Sequence, residues 1–105
     1  MPVYEDPRIV KKVSVPSIAG SEVEIYNTLL WGDLEEIYSS ELSDVAKARK
    51  ALSLLIKSWN LTDKEGKALP ITEDILKMFV ADVITFLLSQ TDFSPEGVEG
   101  VKKKT

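Results

Sequence analysis

The chemistry open to this 105-residue sequence is narrow, because it contains no histidine and no cysteine. Ser-His-Asp and Cys-His catalysis are therefore excluded, as are disulfides and thiolate zinc sites. Carboxylate chemistry remains, with Asp33, Glu36 and Asp82 as its candidates. A lone aspartate on an apolar helix more often lies at the helix edge or bonds a neighbouring threonine, here Thr85. We therefore predict that the protein is not an enzyme.

A second acidic group, Asp63-Lys64-Glu65-Gly66, combines carboxylates and glycine as calcium-binding loops do. With Gly66 at the sixth loop position, the first position falls on Leu61 and the twelfth on Thr72. Neither residue is a suitable calcium ligand there. The segment instead indicates a turn in which Gly66 takes a positive φ. No other metal-ligand spacing and no glycine-rich phosphate loop is present, so no metal and no cofactor is predicted.

The overall charge and hydropathy restrict the classes of partner. The formal net charge is −4, whereas domains that bind nucleic acid are usually basic. The longest apolar run is interrupted by Asp82 and is too short to span a bilayer. The first residues lack the basic and apolar pattern of a secretory signal. We therefore expect a cytosolic protein whose partners are neither nucleic acid nor membrane.

Alternating apolar residues predict a β-hairpin over residues 9–27, with its turn at residues 16–20. The alternating residues are Val13, Val15, Val23 and Ile25. They share one face if paired residue numbers sum to an even number, for example with Val15 opposite Val23. Two interpretations stay open. The hairpin covers the core formed by the helices, or its free edge also accepts a strand from a partner.

Apolar residues at helical spacing follow the hairpin and predict three helices. These helices cover residues 34–42, 44–59 and 73–90. Prolines and charges in residues 1–8 predict a flexible arm, and glycines and lysines in residues 91–105 predict a flexible tail. The expected fold class is therefore mainly α within an α+β architecture. It is a single domain over residues 9–90, an N-terminal β-hairpin followed by a small three-helix domain.

The helices at residues 34–42 and 44–59 carry opposite charges. Asp33 and Glu36 fit a capping box for the first helix, and Ser43 or Asp44 is expected to cap the second. The second helix bears the one concentrated basic face, which consists of Lys47, Arg49, Lys50 and Lys57. This face either binds an acidic partner or is solvated and pairs loosely with the acidic first helix, at about 0–1 kcal/mol per exposed pair.

The third predicted helix is the most apolar segment, since only Asp82 and Thr85 are polar between residues 78 and 88. Thr72 is expected to be its N-cap. A helix this apolar cannot lie on a small domain with one face in water. It is expected to be the central core helix, and one of its edges is also a candidate for contact with a partner.

A characteristic order of residue types extends over residues 22–90. It consists of Val23-Glu24-Ile25, Leu30-Trp31-Gly32-Asp33, a helix ending in Ser58-Trp59-Asn60-Leu61, and Asp63-Lys64-Glu65-Gly66-Lys67-Ala68-Leu69-Pro70-Ile71-Thr72-Glu73 before an apolar helix. In this order the chain resembles the tail assembly chaperones of long-tailed bacteriophages and prophages. These are small proteins encoded near the tape-measure gene.

The resemblance implies a non-enzymatic protein in the cytoplasm of the bacterial host. Such chaperones keep the long, aggregation-prone tape-measure protein soluble while tail-tube subunits assemble around it, and they are generally absent from the finished virion. The expected partner is the tape-measure protein, with the tail-tube protein and a second copy of the chain as further candidates. The alternative function is that of a structural tail or head–tail connector component that remains in the virion.

A client with an apolar helical stripe would lie in a groove between helices. We expect this groove to be lined by the third helix and Trp59, with basic side chains at its rim. The predicted partner-binding residues are Leu54, Trp59, Met78 and Phe79, with Lys47, Arg49 and Lys50 at the rim.

Overall fold

The computed structural model describes residues 1–93 and combines a three-stranded antiparallel sheet with four helices in those residues. In chain order the elements are β1 (Val10–Val13), β2 (Val23–Tyr26), α1 (Trp31–Tyr38), α2 (Asp44–Leu55), β3 (Ile56–Trp59), α3 (Glu73–Leu76) and α4 (Ala81–Leu88). The predicted α+β architecture is confirmed, but the number and the bounds of the helices differ from the prediction. Residues 94–105, most of the predicted flexible tail, lie outside the described residues.

The predicted hairpin is present as β1 and β2, which pair antiparallel with Val10 opposite Tyr26 and Val13 opposite Val23. Paired residue numbers sum to an even number, as expected, but Val13 rather than Val15 faces Val23. Val15 lies beyond the end of β1 and is nevertheless buried. Its amide donates to the hydroxyl oxygen of buried Ser21 at 2.8 Å. The turn therefore satisfies its own buried polar groups.

The helix predicted over residues 44–59 is too long, because α2 ends at Leu55 and the next four residues form β3. β3 pairs antiparallel with β2, with Trp59 opposite Val23 and Ile56 opposite Ile25 across an irregularity in the register. A helix continued to residue 59 would leave this edge of β2 without backbone partners. Strand pairing satisfies those groups while keeping Ile56 buried. One free edge of the predicted hairpin is thus filled by the chain itself.

The helix predicted over residues 73–90 is interrupted, although no glycine or proline lies within it. α3 ends at Leu76 and α4 begins at Ala81, with Val80 extended at the N-cap (φ −71°, ψ 157°). The break orients the apolar side chains in two directions. Leu76 and Leu87 are buried, whereas Met78 and Val80 are exposed. In a continuous helix Val80 would share the face of Leu76 and Leu87, four and seven residues away, so the break is what leaves Val80 exposed.

The N-termini of the helices follow the capping predictions in two cases of three. The hydroxyl oxygens of Ser43 and Thr72 accept hydrogen bonds from the amides of Ala46 and Ile75, at 3.1 and 3.3 Å. The first helix starts at Trp31, before the predicted residue 34, and has no side-chain cap. The predicted capping box is therefore not formed, and Asp33 instead lies in the first turn, where a carboxylate interacts favourably with the helix dipole.

The central element of the core is α2, not the third predicted helix. It contacts α1, α3, α4 and β3. The largest fully buried side chains come from the inner face of β2 and from three helices: Val23, Ile25, Ile37, Leu52, Leu55 and Leu87. The helices therefore cover one face of the sheet, and α2 joins them to one another.

The N-terminal arm is fixed to the sheet at its last residue. The guanidinium of Arg8 lies 3.8 Å from the centre of the Tyr26 ring, donates to the carbonyl of Thr28 at 3.3 Å and pairs with Asp6 at 2.9 Å. The Arg8 hydrogen bond lowers the pKa of the Asp6 carboxyl below its ordinary value of 3.8. This pair therefore contributes stability above that pH and loses it as the pH falls through the lowered pKa.

Candidate partner-binding groove

An open groove lies between α2 and the segment that contains α3 and α4, and we call it the α2–α4 groove. Its volume is about 430 Å³. Val45, Ala48 and Arg49 line it from α2, since residues three and four apart share one face of a helix. The residues that line the opposite wall include Phe79, Ile84 and Leu88. The break between α3 and α4 is what places Phe79 in this wall.

Apolar side chains in and beside the groove are exposed to an unusual degree. Val45 and Met78 each retain 76% of their accessible surface, and Val80 retains 66%. Val45 lies seven residues before the buried Leu52, a helical spacing that favours burial, yet the structure leaves Val45 exposed. Exposed apolar residues that adjoin an apolar groove are typical of a surface that binds another molecule.

The charged residues at the groove are paired within the chain. The guanidinium nitrogen Nε of Arg49 lies 3.0 Å from Oε1 of Glu73, and Nζ of Lys77 lies 3.7 Å from Oδ1 of Asp74. All four side chains are partly or largely exposed, so each pair contributes about 0–1 kcal/mol. The groove therefore offers an apolar surface with locally neutralised charges at one end.

Of the three basic residues predicted for the rim, the structure places Arg49 in the groove and the other two on the side of α1. The Lys47 ammonium lies 4.9 Å from the centre of the Tyr38 ring, and Nζ of Lys50 lies 3.2 Å from Oε2 of Glu36. These contacts match the alternative expectation that the basic face pairs with the acidic first helix. Leu54 shares this face of α2 by its spacing and packs against the core.

The predicted aromatic and methionine residues lie together at one end of the groove. Phe79 lines it, and Met78 is the exposed neighbour of Phe79. The ring centres of Trp59 and Phe79 are 5.6 Å apart, with the rings tilted by 38°. Trp59 therefore does not line the groove but packs against Phe79, which does. Val45, Ala48, Ile84 and Leu88 were not predicted as site residues, although the spacing of Val45 and Ala48 and that of Ile84 and Leu88 each indicate a shared helix face.

Comparison with known proteins gives no relative. No protein-family model, no curated protein and no solved structure matches the chain. The groove is therefore interpreted from its own residues and geometry.

The acidic residues considered for chemistry are dispersed in the structure. Asp82 is exposed in the first turn of α4, and Glu36 on α1 pairs with Lys50. Asp63 accepts hydrogen bonds from the amides of Glu65 and Lys67, each at 2.9 Å, which confirms the predicted turn.

Within residues 1–93 no group of three or more histidine, cysteine, aspartate or glutamate side chains is arranged to hold a metal ion. No helix in this part of the chain is long and apolar enough to cross a membrane.

Replacement of Trp59 by phenylalanine tests the contact between the sheet and the groove. The indole nitrogen of Trp59 donates to the carbonyl of Leu69 at 2.8 Å. Phenylalanine keeps a ring against Phe79 but removes this donor, so we expect the free energy of unfolding to fall by about 1–2 kcal/mol. Urea denaturation measures the loss.

Trp31 provides the control for this measurement. Its indole is 66% exposed and donates to Glu35 at 3.2 Å on the surface of α1. Trp31→Phe should therefore change the free energy of unfolding by less than about 0.5 kcal/mol. Equal losses for the two variants would contradict a structural role for the Trp59 hydrogen bond.

Proposed function

We propose that this protein is a tail assembly chaperone, which binds the tape-measure protein and keeps it soluble in the host cytoplasm during assembly of a phage tail. The observation that carries the proposal is the α2–α4 groove with the exposed side chains of Val45, Met78 and Val80 beside it. The order of residue types over residues 22–90, which resembles that family, supports the same function.

The shape and chemistry of the groove suit a client with an apolar helical stripe. Helix-in-groove recognition inserts side chains at helical spacing into an apolar channel, and a volume of about 430 Å³ accommodates several such side chains. Because Arg49 and Lys77 are paired within the chain, the client needs no fixed pattern of acidic residues. Met78 adds an unbranched side chain that adapts to different neighbours. These properties favour binding of many similar segments over recognition of one sequence.

Co-expression tests this proposal. The chain is produced together with the tape-measure protein of the same gene cluster, and the soluble fraction is analysed by size-exclusion chromatography with light scattering. We expect a client that is insoluble alone to be recovered in a soluble complex with the chain, and the mass gives the stoichiometry. A client that remains insoluble in the presence of the folded chain would refute the chaperone function.

A second candidate function is that of a structural tail or head–tail connector component. The observation that favours it is β1, an edge strand that has β2 as its one neighbour among the described residues. Edge strands can join the subunits of an assembly through backbone hydrogen bonds. Purified particles distinguish the two candidates, because a structural component is retained in them and an assembly chaperone is not.

A further inference from the structure

The free edge of β1 is accessible and basic. β1 lies at the end of the sheet order, and Val10, Lys11 and Lys12 are exposed. Lys11 lies opposite Ile25 and therefore belongs to the inner face of the sheet, while Lys12 lies opposite Glu24 on the outer face. The Lys11 ammonium reaches Gln90 at 3.4 Å, and within residues 1–93 it forms no ion pair. This edge therefore has unpaired backbone groups together with an uncompensated positive charge.

The arm that precedes β1 has the complementary composition. Met1, Val3 and Tyr4 are among the most exposed apolar residues of the chain, and Glu5 forms no ion pair among the described residues. Residues 3–5 therefore carry, in order, an apolar, an aromatic and an acidic side chain. Their length matches a short strand.

In the structure the arm does not pair with the β1 strand of its own chain, since β1 begins at Val10 and pairs with β2. An antiparallel return within the chain would need residues 7–9 as its turn. Ile9 already pairs with Asn27, since its amide donates to the Asn27 side chain at 2.9 Å and its carbonyl accepts from the Asn27 amide at 3.0 Å. Arg8 is held against Tyr26. A strand from another molecule completes β1 without disturbing these contacts.

We propose that residues 3–6 of a second copy of this chain add to the free edge of β1 as an antiparallel strand. One register places Val3 opposite Val13, Tyr4 opposite Lys12 and Glu5 opposite Lys11. On the inner face, the valine side chains of Val3 and Val13 then lie side by side, and so do the side chains of Glu5 and Lys11. On the outer face, the ring of Tyr4 lies beside the side chain of Lys12. Cross-strand apolar and opposite-charge pairs stabilise a sheet, and a lysine ammonium is attracted to an aromatic ring.

Pairing of β1 with β1 is the competing arrangement between two copies, and its charges oppose it. The antiparallel register with full overlap places Lys11 opposite Lys12, and the two registers shifted by one residue place Lys11 or Lys12 opposite itself. Like charges in such positions destabilise a sheet. The arm of each copy instead provides a carboxylate to the edge of the next. Mutual exchange of the arms gives a two-fold dimer, whereas head-to-tail addition gives a ring or an open filament.

Charge reversal tests the proposal, with light scattering after size-exclusion chromatography as the readout over a range of concentrations. The unmodified chain is expected to associate. Glu5→Lys and Lys11→Glu should each weaken association at least tenfold, and the double variant Glu5→Lys/Lys11→Glu should restore it. Glu65→Lys makes the same charge change in the exposed 63–66 turn and should leave association unchanged.

Three results would overturn the proposal: a monomer at every concentration up to the solubility limit, association that Glu5→Lys does not weaken, or a double variant that fails to recover it. Both substituted residues are exposed, and far-UV circular dichroism verifies that each variant is folded. The proposal is independent of the chaperone function, because neither substitution touches the α2–α4 groove. Client solubility and self-association are therefore separate readouts.

Discussion

Val45→Glu combined with Met78→Glu is expected to abolish the ability of the chain to keep the tape-measure protein soluble. Each change removes an apolar side chain that a bound client would cover, at a cost of about 2 kcal/mol, or about thirtyfold in affinity. A carboxylate buried under the client adds a desolvation penalty. Co-expression and recovery of the soluble complex measure the effect.

The folded chain should tolerate both substitutions, because each side chain is 76% exposed. Glutamate at position 45 also lies in the first turn of α2, where a negative charge is favourable. Trp31→Glu is the matched control, since it places the same charge in the first turn of α1, away from the groove. Normal solubilisation by a folded double variant would show that the client binds elsewhere.

Leu87→Ala is expected to produce the largest loss of stability among the variants considered, about 3 kcal/mol. Leu87 has no accessible surface and anchors α4 in the core. α4 contains eight residues, and a helix of that length is not stable on its own, so its position depends on such packing. Urea denaturation followed by circular dichroism measures the change in the free energy of unfolding.

Met78→Ala is the control for Leu87→Ala, because it truncates a side chain of similar size that is mostly exposed. Its expected cost is below about 0.5 kcal/mol. Since domains of this kind are stable by about 5–15 kcal/mol, the Leu87 variant should remain folded while its unfolded fraction increases about a hundredfold. Similar costs for the two variants would mean that α4 is not packed as described.

Local features of the sequence were sufficient to predict the hairpin and two of the helix caps. The alternation of Val13 with Lys12 and of Val23 with Glu24 identifies a strand pair without reference to the rest of the fold. The hydroxyl oxygens of Ser43 and Thr72 accept hydrogen bonds from amides three residues further along the chain, so this capping also depends on nearby sequence alone.

β3 was missed because its apolar residues fit two periods. Leu52, Leu55, Ile56 and Trp59 lie at helical spacing, yet Ile56 and Trp59 also pair with β2 across the register irregularity. The deciding factor is the free edge of β2, which is distant in sequence. The break between α3 and α4 was missed for a related reason. No glycine or proline marks it, and the spacing of Leu76, Val83 and Leu87, all of them buried, fits one continuous helix as well.

Helical spacing shows which residues share a face of one helix, but not what packs against that face. Phe79 and Arg49 line the groove, and both belong to faces that helical spacing reveals. Lys47 and Lys50 instead lie on the side of α1, because their surroundings depend on where α1 packs and on its residues Glu36 and Tyr38. The sequence of one helix predicts its basic face, but it does not specify which neighbouring helix provides the side chains that pair with those lysines.

The contact between Trp59 and Phe79 gives the molecule an intrinsic optical reporter. The chain has two tryptophans, so Trp31→Phe leaves Trp59 as the one indole fluorophore. Its ring lies 5.6 Å from that of Phe79, which lines the groove. A ligand that displaces water from Phe79 also changes the polarity around Trp59 and therefore its emission. Unlabelled segments of a client can thus be ranked by equilibrium titration in solution, with no dye attached to either molecule.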